Sequence, residues 1–404
     1  MDEQASIGGD GSSWGTAYKY LQDALDDARG QASLINTFEI WVSEGSYYPD
    51  DDEGGNYSDN SPDGAFEMID YVSLLGGFSG IETNKSQRDW AMYETILSGD
   101  IQQNWNQIHY SKNVIRNPFN SITPLTKFAL ISGFTIRYSN GSKTFLDGGA
   151  INNTNASIII QYCTFTNNRA SGKGGAIYNF RSNIQIINCL FYDNEGGRGH
   201  SIYNLQSDPK IYSTTFSKNG NNNESNIENE NNSNLEIENS ILWDNGIEMN
   251  SDATSTEIVT SCIFQGGFIG NNVLAEDPQF IDTANYDFRL NLNSPAIDTV
   301  SSTSVSFDLN HASRVSNDYL DLGAFESQIE RVYVDRTRSL GGDGTSWGDA
   351  FRHLQDGILE ADQILVGFDQ VQIWGADGTY YADDDEGGNV SDDDREALFG
   401  FLKI

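Results

Sequence analysis

The densest set of side chains able to do chemistry is an acidic run on a glycine-containing stretch, Asp50, Asp51, Asp52 and Glu53, followed by Asn56 and Asp59. Hard carboxylate and amide oxygens on such a loop are calcium ligands. The run lacks the alternate spacing and closing glutamate of an EF-hand, so a solvated acidic loop is the competing reading. The same pattern returns as Asp383, Asp384, Asp385, Glu386, Asn389 and Asp392. These residues are the metal candidates, with calcium as the cofactor they would take.

Other chemistry is sparse. His109, His200, His311 and His353 are scattered, and no Ser/His/Asp order, HExxH or phosphate loop accompanies them. Cys163, Cys189 and Cys262 lack the CxxC spacing of a zinc site and read as small buried hydrophobes. The chain holds 59 Asp+Glu against 23 Lys+Arg, a formal net charge of −36. That balance argues against a nucleic-acid partner, which needs a cationic footprint, and disfavours anionic polymers unless calcium bridges the two. With hydrophobic residues at 37% and aromatics at 12%, the chain has enough to bury for a narrow core under a wide polar surface.

The elements that would position these groups come from two nested repeats. Gly8 to Gly15 returns as Gly341 to Gly348, Ile40-Trp41 as Ile373-Trp374, and Gly45 to Tyr48 as Gly378 to Tyr381. Trp14 matches Trp347, an offset of 333 residues (347 − 14) that all these pairs share. Inside the first copy a shorter period runs through Cys163-Thr164-Phe165, Cys189-Leu190-Phe191, Thr214-Thr215-Phe216, Ser240-Ile241-Leu242 and Cys262-Ile263-Phe264. Asn168, Asn194, Asn219 and Asn245 follow in step, and Gly148-Gly149-Ala150-Ile151 and Gly174-Gly175-Ala176-Ile177 precede.

Each unit reads as short alternating strands broken by Gly and Asn turns. One such unit cannot bury its apolar face alone, whereas stacked units share a continuous core. The expected fold is all-β: a right-handed parallel β-helix over residues 1–326, with cap and first strands at 1–70, rungs at 71–270 and a closing segment at 271–326. Residues 327–331 are expected as a linker, and 332–404 as the incomplete start of a second module. Leu21, Ala24, Leu25 and Ala28 lie at helical spacing, which predicts a capping helix between Trp14 and Gly30. The Asn column suits turns, since Asn tolerates left-handed backbone and stacked amides hydrogen-bond along the axis.

On such rungs Arg137, Lys143, Arg169, Lys173, Arg181, Arg198, Lys210 and Lys218 fall mostly in turns, with no alignment that would build a lyase groove. Asp193 and Asp244 share a column two rungs apart, but among 59 acidic residues such coincidences are expected. No catalytic residue is assigned. Trp105, Tyr138, Tyr192 and Trp243 are candidate sugar-stacking platforms. The opening Met1-Asp2-Glu3-Gln4 is no signal peptide, and no stretch approaches the roughly 20 apolar residues of a membrane span. With the tandem repeat, this reads as a piece of a longer secreted or cell-surface protein.

These motifs carry a resemblance. Gly8 to Trp14, LQDAL, IWVSEGSYYP, LLGGFSG and TILSGDI resemble the opening of bacterial right-handed parallel β-helix proteins. ISGFTI, GGAIYN and CTFTNN resemble the repeats these share with chlamydial polymorphic outer-membrane proteins. DPQF, NSPAID and DLGAFE resemble the closing segment of β-helix proteins with a choice-of-anchor region. The resemblance implies export and surface display, with adhesion or contact to a polysaccharide or cell-surface glycan, and brings no catalytic residues. The readings left open are an adhesin-like or glycan-binding scaffold, a polysaccharide lyase or glycoside hydrolase, and a structural spacer.

Overall fold

In the computed structural model, residues 1–54, 61–103, 110–141, 146–220, 223–300, 305–314, 319–327, 329–364 and 370–380 are described. The chain divides into two compact units, Met1–Glu326 and Ser327–Ile404.

In the first unit successive turns of chain add short strands to three parallel ladders, the third of which begins one turn later and ends one turn earlier than the first. The first runs through Phe38–Ser43, Val72–Phe78, Leu130–Ser132, Ile159–Gln161, Gln185–Ile187, Lys210–Tyr212, Asn234–Glu238 and Thr256–Phe264. The second runs through Gly45–Tyr47, Thr95–Ser98, Thr135–Arg137, Thr164–Thr166, Leu190–Tyr192, Thr215–Ser217 and Ile241–Trp243 to the same last strand. The third joins Ile115–Pro118, Ile151–Thr154, Ile177–Phe180, Ile202–Leu205, Ser225–Glu230 and Ile247–Ser251. This is a parallel β-helix.

Strand alternation sends one column of each ladder inward. Ile131, Ile160, Ile186, Ile211 and Ile237 are all fully buried, as are Phe165, Phe191 and Phe216. Because adjacent strands lie about 4.8 Å apart, like residues stack: Phe165 on Phe191 at 4.5 Å and Phe191 on Phe216 at 4.7 Å between ring centroids.

The corners are left-handed residues followed by an inward polar ladder. Asn167, Asp193, Lys218 and Asp244 have positive φ, and so do Tyr162, Asn188, Ser213, Asn239 and Ser261 at the preceding corner. Such backbone costs roughly 1–2 kcal/mol at a non-glycine residue, offset by what comes next in each case. After the first set, Asn168 donates to Asn194 at 3.0 Å, Asn194 to Asn219 at 2.9 Å and Asn219 to Asn245 at 2.9 Å. The left-handed geometry expected of this Asn column belongs to the residue before it, because an inward amide must leave its own backbone extended to meet the next rung. After the second set, the Cys189 N–H donates to Thr214 Oγ1 at 3.4 Å and the Thr214 N–H to Ser240 Oγ at 3.1 Å.

Helix α1, Leu21–Arg29, buries Leu21, Ala24, Leu25 and Ala28 against the first turn of the solenoid and covers its end. The closing segment does more than terminate the rungs: it runs back along the outside of the second ladder. The Gly323 N–H donates to the Asn239 carbonyl at 2.9 Å, and the Ala324 N–H to Thr215 Oγ1 at 3.0 Å. Further back, Asn188 Nδ2 donates to the Phe307 carbonyl at 2.7 Å and Trp90 Nε1 to the Leu309 carbonyl at 3.0 Å.

In the second unit, Ile329–Val334 pairs in parallel with Gln370–Gly375, and helix α2, Leu354–Ile364, packs on both strands. The expected linker at 327–331 is therefore partly strand, since the alternating Val332 and Val334 are both buried. Among the described residues no helix is long and apolar enough to cross a membrane.

Candidate functional site

The acidic run does not form a cage in the described residues. Asp50 is buried, while Glu53 turns toward the cap, where its Oε2 accepts from the Gly8 N–H at 2.9 Å. The Glu53 N–H donates to the Asp23 carboxylate at 3.2 Å. Burial raises the Asp23 carboxyl above its ordinary range, and the charges of Asp52 and Glu53 add to this against the Glu53 hydrogen bond. Asp23 is thus a neighbour that sequence reading missed; it lies far along the chain, on α1. No group of three or more His, Cys, Asp or Glu that could hold a metal occurs among the described residues. Asn56, Asp59 and the copy Asp383, Asp384, Asp385, Glu386, Asn389 and Asp392 lie outside them, as do Trp105, His109 and Lys143.

Asp193 and Asp244 do share a column, but Lys218 stands between them, its backbone bonded to both. Two rungs of about 4.8 Å put the two backbones roughly 10 Å apart. His200 is a buried corner residue whose Nδ1 accepts from the Gly196 N–H at 3.2 Å. Tyr192 and Trp243 are not open platforms. Tyr192 packs on Tyr286 at 4.8 Å and on Phe288 at 5.6 Å, and Trp243 lies against the closing segment's apolar cluster.

Aromatic and polar side chains also assemble on the outer side of the third ladder. Its register aligns Arg116, Asn152, Tyr178, Tyr203, Glu228 and Asn250 in one column on the side away from the core, with Tyr203 and Glu228 buried within it. The Tyr178 and Tyr203 rings stack at 5.9 Å. A short flanking ladder places Lys173 in register with Arg198.

Both cations serve this face. Lys173 Nζ lies 4.3 Å from the Tyr203 ring centroid, and the Arg198 guanidinium 5.5 Å from it. Arg198 also pairs with Glu228 and Glu230, and the Tyr203 hydroxyl donates to Glu230. Burial would raise Glu230, but hydrogen bonds from Tyr203 and Arg198 outweigh it and hold the carboxyl below its ordinary range. Burial, with Asp147 and Glu230 nearby, pushes the Tyr178 phenol up to about 12. A lowered carboxylate and a raised phenol are poor partners for proton transfer near neutrality. Tyr203 and Glu228 are buried beneath these charged groups, which already neutralise one another, so what the face offers a ligand is the half-buried Tyr178 and Asn152 with the exposed Arg116 and Asn250.

A concavity lies in the cap. A groove of about 760 Å³ runs between the loop Asp10–Gly15 and the strand edge Phe38–Trp41, floored by Ala24 and Ala28 of α1. Trp41 stacks on Phe78 at 4.9 Å, and Trp14 leans on both.

Residues 162–179, which carry the Cys163 corner, Asn168 and the start of the Ile177 strand, match the Chlamydia polymorphic membrane protein repeat. No curated protein matches the chain. Among solved structures, the crystal structure of pectate lyase Pel9A is similar at 14% identity, covering 81% of this chain and 95% of that chain, with a TM-score of 0.35. On its own parallel ladders and this repeat match, the chain is a parallel β-helix repeat protein.

Proposed function

We propose that the protein is an exported, surface-displayed scaffold that binds glycan along the outer face of its third ladder without cleaving it. The observation that carries this reading is the outer column Arg116–Asn152–Tyr178, in which a half-buried aromatic ring stands beside planar hydrogen-bonding groups at a repeat of about 4.8 Å, with the exposed Asn250 further along the same register. Aromatic faces take the apolar side of a sugar ring, while Asn and Arg match its hydroxyls. Surface display is supported by the polymorphic membrane protein repeat at residues 162–179.

The test is to incubate the chain with a panel of polysaccharides, with and without calcium, scoring retention and new chain ends together. Retention that Tyr178→Ala weakens, with no new ends, is the expected outcome. New reducing or unsaturated ends would replace this reading with an enzyme. Neither retention nor cleavage would leave a structural spacer. Retention that needs calcium would bring the acidic run, Asp50 to Glu53 with Asn56 and Asp59, into the binding site.

A further inference from the structure

The cap sequence occurs twice, and among the described residues the second copy holds a strand beside Gln370–Gly375 that the first copy lacks beside Phe38–Ser43. In the second unit, Ile329–Val334 fills the space beside Gln370–Gly375, with Val332 opposite Ile373 and Tyr333 opposite Trp374. Its other edge is held by the cap loop: the Tyr333 N–H donates to the Gly344 carbonyl at 2.8 Å, and the Phe351 N–H to the Tyr333 carbonyl at 2.9 Å. Val332 and Val334 are buried, and the Tyr333 ring meets Trp347 at 5.0 Å and Trp374 at 5.8 Å.

Shifted back by one module, Gly344, Phe351, Trp347 and Trp374 become Gly11, Tyr18, Trp14 and Trp41. These are the walls of the 760 Å³ groove. Val334 becomes Met1, and the backbone agrees. The Ser43 N–H donates to the Met1 carbonyl at 3.0 Å, as the Ala376 N–H does to the Val334 carbonyl at 2.8 Å. The Asp2 N–H likewise donates to the Tyr18 carbonyl at 3.0 Å, as that of Asp335 does to Phe351 at 2.8 Å. The groove is thus the place that Ile329–Tyr333 takes in the other copy. The Phe38 N–H donates to the Tyr71 carbonyl on the ladder side, so by alternation the backbone groups of Glu39 and Trp41 point into the groove. Trp41 already offers its carbonyl there, accepting from the Met1 nitrogen at 2.7 Å.

We infer that this groove is the seat of a parallel β-strand with the sequence chemistry of Ile329–Tyr333, entering directly ahead of Met1, and that each module's cap is completed by the strand leading into it. The position of Val332 faces the α1 side in line with Met1, and that of Tyr333 lies between the two tryptophans. The cation suits the acidic rim as well: Arg331 lies 4.6 Å from the Trp374 ring centroid, and its register partner Gln372 corresponds to Glu39. Asp10, Asp27, Glu39 and Glu82 all line the groove. This is strand addition to an open edge, where main-chain bonds give affinity and alternate pockets give specificity. It explains how solenoid modules join in tandem without leaving a cap open at each junction, and it does not depend on the glycan reading.

The test extends the full chain at its N-terminus with Ser-Gln-Ile-Glu-Arg-Val-Tyr, the sequence of residues 327–333. A control extension has Asp at the Val and Tyr positions. The matched extension is expected to raise the first unfolding midpoint by about 2–4 °C and to slow exchange of the Glu39 and Trp41 amides about tenfold. The control is expected to do neither. Equal behaviour of the two extensions would overturn the proposal. So would protection of the same two amides by an oligosaccharide from the panel, without protection by the matched strand, since the groove would then be a sugar site.

Discussion

Asn194 Nδ2 donates to Asn219 Oδ1 at 2.9 Å while Asn194 Oδ1 accepts from Asn168 Nδ2 at 3.0 Å, so one buried side chain ties three successive rungs together. The same Nδ2 reaches the Phe165 carbonyl at 2.9 Å and the Tyr192 carbonyl at 3.1 Å. Asn194→Ala leaves several fully buried donors and acceptors unpaired at once. At about 1–3 kcal/mol for each buried orphan, a loss of about 2–4 kcal/mol is expected in denaturant unfolding. Asp193→Gly next to it is expected to be neutral or stabilising, since the positive φ there then carries no side-chain penalty. Equal losses from the two substitutions would rule out the division of labour between corner and ladder.

The ladder's last member, Asn245, hands its amide to the Glu248 carboxylate at 2.6 Å. Burial pushes the Glu248 carboxyl from 4.5 up to about 7. A carboxyl raised in the folded state adds stability that is full below its unfolded pKa and lost as pH rises through the folded one. Stability is therefore expected to fall between pH 5 and pH 8, by on the order of 2–3 kcal/mol from this group. Glu248→Gln should flatten that slope. Thermal unfolding at both pH values reads it, and an unchanged slope in the variant would assign the effect to another group.

The three cysteines are free and fully buried. Reaction needs thiolate and access, yet burial pushes the Cys262 thiol up to about 12. Native protein is expected to give no reaction with Ellman's reagent at pH 8, and three thiols after unfolding. Cys189→Ser should cost less than about 1.5 kcal/mol. Ser240 already fills this column, donating to the Glu238 carbonyl at 2.8 Å.

How much of this was legible depended on how far a contact reaches along the chain. The Phe165, Phe191 and Phe216 column and the Asn168 column recur within one rung, so their period announced both the solenoid and its inward faces. A second amide ladder has the same spacing: Asn153 donates to Asn179 at 3.0 Å and Asn179 to Asn204 at 2.9 Å. It went unread because Asn after GGAI suggests a turn, although alternation from the inward Ile151, Ile177 and Ile202 puts these residues inside. The outward Tyr178–Tyr203 pair follows from the same alternation. No local pattern shows that the closing segment folds back, because Trp90 and Leu309 meet across 219 residues of chain. The described acidic residues likewise carried the right chemistry for calcium without a local rule for convergence.

That return path makes its own prediction at Gly323, which has φ +89. A Cβ there would stand 2.6 Å from Thr215 Oγ1 and 2.9 Å from Ile241 Cδ1. Thr215 Oγ1 also accepts the Ala324 N–H, so it cannot withdraw without breaking the next contact. Gly323→Val combines backbone strain of about 1–2 kcal/mol with overpacking of about 1–3 kcal/mol. The expected result is release of the closing segment from the second ladder while the rungs stay folded. Limited proteolysis should then cut between residues 291 and 326 and spare 150–264. The Trp90 emission should shift as well, because its ring stacks on Tyr162 at 4.2 Å and its Nε1 is held by the Leu309 carbonyl. If the rungs and the closing segment instead became sensitive together, the segment would be part of the solenoid's cooperative core.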